Sequence, residues 1–351
     1  MIPLPTIQAS NRRIPTHPSI PSHPIALFVG ATSGIGEATV KQFAQHTRTL
    51  RPRVYLVGRN AAAGHRIAQE CESLNSTGRF VFVQADVSLL SVVDELSLRL
   101  LRDEPYLNLL FLSPGTTAGK AETPENLRTL TSLLYYARLR FTLNLLPLLQ
   151  STPPGHLRRV ISVLSGGHEG PILDAADPDG RSLSMRAFRA QITSMTTLAM
   201  EGLADRAPTV AFVNEYPGTV RSGLFREADS WYGWVVWAVL SVIGRWVYIP
   251  AVESGERHVF LATSGRFRAR EGEFNGQNGE GGVMVGGVEV ARGTDGVVGS
   301  GVYSVNWNGE VAGERVGKVL EGLRRDGMKE VVWRVLESVF VRVTGTVKVE
   351  V

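Results

Sequence analysis

Residues 25–36 read Ile25-Ala26-Leu27-Phe28-Val29-Gly30-Ala31-Thr32-Ser33-Gly34-Ile35-Gly36. The first five are apolar with no polar alternation, as expected of a strand covered on both faces inside a parallel sheet. Three glycines follow at 30, 34 and 36, and a helical pattern then continues through Phe43. Glycine lets the backbone turn sharply and approach a neighbour closely. A helix start presents unpaired N–H groups and the positive end of its dipole. A glycine trio alone is only a turn; between a buried strand and a helix it predicts a cradle for the diphosphate of a nicotinamide dinucleotide. The candidate contacts are Gly30, Thr32, Ser33, Gly34, Ile35 and Gly36. The spacing is G-x-x-x-G-x-G, distinct from the G-x-G-x-x-G of other dinucleotide folds.

Further apolar runs occur at Val54–Val57, Phe80–Val83, Leu107–Leu112, Arg159–Val163 and Val210–Val213. Helical patterns lie between them at about 60–75, 89–102, 125–149 and 183–204. Strand and helix in alternation imply βαβ crossovers, hence an α/β, Rossmann-type doubly wound parallel sheet. This domain is expected over 25–265, with a C-terminal extension over 266–351. The extension should hold a glycine-rich hairpin turning on Gly286-Gly287 and a helical stretch at about 311–340. Residues 1–24 carry six prolines, Arg12 and Arg13 and no acidic residue. They read as a flexible tail, with a targeting segment as the alternative.

The second strand ends in Gly58-Arg59-Asn60. An acidic residue there selects the ribose 2′-hydroxyl of NAD, whereas arginine accommodates a 2′-phosphate. Arg59 therefore points to NADP, against the alternative of a solvated loop arginine, and Asn60 beside it is a candidate cofactor contact. Asp86-Val87 closes the third strand, either to meet the adenine amino group or as a plain acidic turn. The net charge of +4 is small, and no Lys/Arg stripe alternates with aromatics, so no nucleic-acid partner is expected. The single cysteine, Cys71, rules out an intramolecular disulfide and fits a cytoplasmic location. Asp174, Asp177 and Asp179 lack a calcium-loop pattern, so no metal is expected.

The pieces Gly30–Gly36, Gly58-Arg59-Asn60, Asp86-Val87-Ser88 and Tyr216-Pro217-Gly218-Thr219-Val220 resemble the short-chain dehydrogenase/reductase family in order and spacing. The resemblance covers roughly residues 25–265. It is strongest to a fungal branch with Leu-Ser-Pro-Gly (Leu112 to Gly115), a segment like Tyr135–Phe141 and one like Glu253–His258. It implies that Ser113, Gly115, Pro217, Gly218 and Val220 also line the cofactor site. It further implies hydride transfer, a hydrophobic small-molecule substrate, a connection to secondary metabolism, and oligomers formed through helices flanking the catalytic strand.

The family's proton relay is a Ser-Tyr-Lys group. Ser165 matches the serine. Counting back from Leu203-Ala204 puts Arg189 at the tyrosine position and Thr193 at the lysine position. No tyrosine lies between Tyr136 and Tyr216, and between Lys41 and Lys318 the only lysine is Lys120. Ser165, Tyr136 and Arg189 are the candidate catalytic residues, with His168 a further proton donor. Each has a plain alternative: core packing for Tyr136, a solvated side chain for Arg189 and for His168. Two functions stay open: an NADP(H)-dependent oxidoreductase with an atypical proton donor, or a reductase-like protein that isomerises, cyclises or only binds. Residues 231–252 hold Trp231, Trp234, Trp237 and Trp246 with Arg245 alone charged. They read as a lid over the substrate, a patch for peripheral membrane contact, or a membrane span.

Overall fold

A computed structural model describes residues 1–116, 121–220, 248–272 and 281–350. The reading of 231–252 falls almost wholly outside these residues. Seven strands form one parallel sheet in the order β3-β2-β1-β4-β5-β6-β7. They are β1 (Ile25–Val29), β2 (Arg53–Gly58), β3 (Arg79–Gln84), β4 (Leu109–Leu112), β5 (Arg159–Val163), β6 (Ala211–Tyr216) and β7 (Val302–Asn306). The order reverses between β1 and β4, and in doubly wound sheets the ligand crevice opens at that switch point, beyond the strands' carboxyl ends.

The alternation of β1 assigns its two faces. Ile25, Leu27 and Val29 join one core cluster, and Ala26 and Phe28 the other. The Phe28 side is covered by α2 (Gly34–His46), α3 (Ala61–Leu74) and α7 (Ala251–Thr263). The Leu27 side is covered by α4 (Leu90–Asp103), α5 (Ala137–Gln150) and α6 (Met185–Arg206). An outer layer lies over α5 and α6: α8 (Glu314–Arg325) and α9 (Met328–Thr344). Close packing here is specific. A Cβ on Gly202 of α6 would fall 1.9 Å from Trp333 Nε1 of α9. Arg140 of α5 is fully buried, donates to both carboxylate oxygens of Asp94 (2.6 and 2.7 Å) and reaches the Thr346 carbonyl at 2.8 Å.

Four expectations need correction. Residues 1–24 are not a loose tail. A helix α1 (Leu4–Asn11) packs on α7, and Ile2, Ile7, Ile14 and Ile20 are buried. Its prolines sit at the helix start, where a missing N–H costs nothing. Asn11 then donates to Glu256 Oε2 (2.6 Å) and to the Glu256 carbonyl (2.9 Å). Second, Gly286-Gly287 does form a turn, closed by Val288 N to Val285 O at 3.2 Å, but no hairpin is built on it. Val283 bridges Ser264 instead, in a parallel sense. Third, the helix expected over 125–149 begins with a turn at Thr129–Thr131 and a π-helical stretch at Ser132–Tyr136 before α5. The stretch at 311–340 is likewise two helices, parted at Gly327, which takes φ 71°.

Candidate active site

The glycine loop leaves β1 as the sequence requires. Gly30 adopts φ +85°, and the N–H groups of Gly30 and Ala31 both donate to Val57 O, at 2.9 and 3.1 Å. Ser33 is extended, and α2 starts at Gly34. Nothing larger fits at Gly36: a Cβ there would lie 2.3 Å from Gly30 O and 2.8 Å from Ser113 Oγ. A Cβ on Gly58 would meet Thr32 Cγ2 at 2.5 Å. These close approaches leave an open groove over the α2 N-terminus. It is lined by Gly30, Thr32, Ser33, Gly34, Ile35 and Gly36, by Gly58 and Arg59, by Asp86 and Val87, and by Ser113 and Gly115. Pro114 and Leu133 also line it, and the sequence reading had not assigned them a role. Main-chain amides at a helix start, with glycine permitting close contact, suit a dinucleotide diphosphate.

The other predicted contacts divide. Asn60 does not line the groove; its side-chain oxygen caps α3, accepting from Ala63 N at 3.0 Å. Asp86 builds a turn, accepting from Ser88 N at 3.0 Å, and still borders the groove. Ser113 Oγ donates to Val29 O at 3.1 Å, which ties the end of β4 to β1. Pro217, Gly218 and Val220 lie outside this lining, at the exit of β6. There Gly218 turns at φ +69° beneath Trp307 and Ile249, and Val220 bridges Ile249.

The candidate catalytic residues also separate. Ser165 is buried at the end of β5, and its Oγ lies 2.6 Å from Thr193 Oγ1. Thr193 in turn donates to Arg189 O at 2.6 Å. The residues at the relay's serine and lysine positions therefore meet, as two hydroxyls. Tyr136 belongs to the core, 2% exposed and edge-on to Tyr135, away from the groove lining. Burial pushes its phenol well above the ordinary range. As a proton donor to a substrate it is therefore set aside. Arg189 stacks on the Tyr216 ring, its guanidinium carbon 4.8 Å from the centroid. His168 meets the same ring edge-on at 4.6 Å. Burial lowers the His168 pKa, and the Arg189 and Arg315 cations lower it further. Asp174 and Asp177 accept main-chain N–H groups of their own loop, from Ala176 and Gly180 among others.

Beneath the groove lies a residue that the sequence reading had quoted only for its likeness to a branch. Arg138 is fully enclosed and donates to the carbonyls of Leu112, Pro114, Leu133 and Val163 and to Ser162 Oγ. It binds the ends of β4 and β5 to the π-helical turn that carries Leu133. Burial pulls its pKa down to about 9, so it stays charged at neutral pH. Its sequence signal is one of two arginines, with Arg140, inside the largely apolar run 133–149.

Residues 24–170 match the family described as short chain dehydrogenase. Oxidoreductase AN1596 of Emericella nidulans is 38% identical over 96% of this chain and 98% of its own. Short-chain dehydrogenase/reductase SAT2 of Stachybotrys chartarum is 31% identical over 76% of this chain and 78% of its own. Among solved structures, YwfH, an NADPH dependent reductase involved in bacilysin biosynthesis, shares the fold. It has a TM-score of 0.51 at 14% identity and covers 69% of this chain and 91% of that one.

Proposed function

The chain belongs to the short-chain dehydrogenase/reductase family and is an oxidoreductase of that type; from this premise we propose that it uses NADP(H) to reduce or oxidise a hydrophobic small molecule of secondary metabolism. One observation carries the reading. The backbone at Gly30 and Gly36 is nested so closely that a single Cβ would fill it, and the groove above has Arg59 on its rim. Gly30 to Gly36 would hold the diphosphate, Asp86 and Val87 the adenine side, and Arg59 a 2′-phosphate. When bound, the nicotinamide supplies or takes up a hydride. Arg138 and Ser113 keep the ends of β1, β4 and β5 fixed, so the groove is organised before any ligand enters. Kinship with fungal oxidoreductases supports the link to secondary metabolism.

The test is a fluorescence titration with NADPH and NADH, followed by nicotinamide absorbance against a panel of lipophilic ketones, enals and quinones. Tighter binding of NADPH with its oxidation by a panel member is expected. A second reading, binding without hydride transfer, draws on the Ser165–Thr193 hydroxyl pair standing where the relay has serine and lysine. NADPH binding with no oxidation across the panel would favour it.

A further inference from the structure

We propose that Tyr216 is the proton-transferring residue of this site, with Arg189 as a positioning residue and His168 packed against its ring; the proposal rests on the carbonyl-reductase reading above. Elimination starts the argument. Thr193 gives its proton to Arg189 O, so the 2.6 Å contact with Ser165 leaves the serine proton pointing at Thr193. Ser165 has no second proton for a substrate oxygen. Tyr136 is enclosed in the core.

Placement continues it. Arg189, Thr193 and Thr197 recur every four residues on α6 and so share one face. Thr193 meets Ser165 of the strand-end loop, and Thr197 meets Asn214 of β6 at 3.1 Å. Two residues further along β6, on the same side as Asn214, Tyr216 meets Arg189. The Tyr216 ring therefore lies on the α6 side of the sheet at its carboxyl end, where the Arg189 side chain also reaches. The ring is only half-buried.

The ring is held from two directions, by the Arg189 guanidinium over its face and by His168 against it at 70°. The loop carrying His168 is itself anchored. Gly167 N donates to Ser304 Oγ (2.7 Å) and Gly170 N to Ser194 Oγ (3.0 Å), while Arg315 reaches Gly167 O (3.0 Å) and Glu169 O (3.2 Å). The groups facing His168 are Tyr216 from β6, Arg189 from α6 and Arg315 from α8. The neighbouring Glu169 carboxylate is turned away, accepting from Thr197 at 2.9 Å. Half-buried beside two cations, which with that burial hold its pKa below the ordinary value, His168 is neutral at pH 7, with Nδ1 3.3 Å from Gly166 O. In the reduction the carbonyl carbon gains the hydride and the C=O π pair moves onto oxygen. That oxygen takes the Tyr216 hydroxyl proton, and the phenolate regains one from water, which reaches the half-buried ring. One hydride and one proton are consumed for each alcohol formed.

The test uses Tyr216→Phe, which keeps the ring and both of its contacts. NADPH binding is expected to stay within twofold, while carbonyl reduction falls at least ~100-fold, the scale of a lost general acid. His168 titration by NMR on the cofactor-free chain gives a readout apart from activity. The midpoint is expected below 6.5, to rise in Arg189→Met and to stay low in Arg189→Lys. Reduction by Tyr216→Phe within twofold of the parent overturns the proposal. So does loss of its NADPH binding, or a His168 midpoint that Arg189→Met leaves unmoved. Failure of the parent chain to oxidise NADPH with any panel member overturns the reductase reading together with this one. An unaffected Tyr216→Phe overturns this one alone.

Discussion

Gly36→Ala adds one methyl where the chain has no room for it. The new carbon would lie 2.3 Å from Gly30 O and 2.8 Å from Ser113 Oγ, about 1 Å short of an ordinary C···O approach to the carbonyl. Its nearest neighbour is main chain, so β1's exit or the first turn of α2 must move. Overpacking of this kind costs about 1–3 kcal/mol, or roughly 2–6 °C in Tm at about 2 °C per kcal/mol for a large domain. The same shift displaces the amides that face the diphosphate, and a 1 Å misplacement can cost about 100-fold. At NADPH a hundred times its Kd, the parent gains about 2.7 kcal/mol, or roughly 5 °C. With Kd raised 100-fold the variant keeps about 0.4 kcal/mol at that concentration, a shift below ~1 °C. Differential scanning fluorimetry with and without NADPH reads both quantities. Gly155→Ala is the control: Gly155 takes φ +78° with nothing within 4 Å. It should lose about 1–2 kcal/mol of stability through its left-handed backbone alone and keep the full ligand shift. A Gly36→Ala protein with an undiminished ligand shift would refute the cradle.

Four further outcomes are expected. Arg59→Asp should weaken NADPH more than NADH in fluorescence titration, and equal losses would remove the case for phosphate selectivity. Burial would push the Glu256 carboxyl up, but hydrogen bonds from His46 and Asn11 reverse this and hold it below its ordinary 4.5. A depressed carboxyl contributes stability that is complete above the unfolded value and is lost as pH falls through the folded one. Proteolysis of residues 1–20 should therefore accelerate as pH drops below 4.5, with Glu256→Gln removing that dependence; an unchanged acid response in the variant would contradict the assignment. Burial pushes the Cys71 thiol up to about 12, so native protein at pH 8 should resist maleimide and react only in denaturant, while prompt labelling would place Cys71 elsewhere. Since α9 packs on α6 and adjoins α5, light scattering should show no dimer built through those two helices, and a dimer abolished by substitutions on their outer face would refute this.

Much of the sheet was legible because buried parallel strands advertise themselves. Ile25–Val29 and Arg159–Val163 were read with the bounds the structure gives, and the glycine loop with its groove. The N-terminal helix was missed because proline was read as a breaker, when Pro3 and Pro5 stand at a helix start. β7 was missed because Val302–Asn306 follows a glycine-rich stretch that masks a short apolar run. In the site, the loss of the Tyr-x-x-x-Lys pattern was visible from residue identities alone. What replaces it was not, because His168, Arg189 and Tyr216 lie on three segments that only the sheet's topology brings together. Asn60 was assigned to the cofactor by position, whereas its side chain answers the local need of a helix start.

Residues near position 1 wait for others far along the chain. Ile2 N donates to Asn308 O at 3.1 Å, and Phe340 is buried against helices made some two hundred positions before it. A ribosome-bound chain that has emitted the glycine cradle and six strands still lacks the partners of both. Until those residues emerge, the outer apolar surface of α5 and α6 stays wet, and α1 has nothing to pack on until α7 is made. Translation order thus gives this enzyme a long adhesive interval in which a holding chaperone would matter more than for a protein whose segments close in sequence.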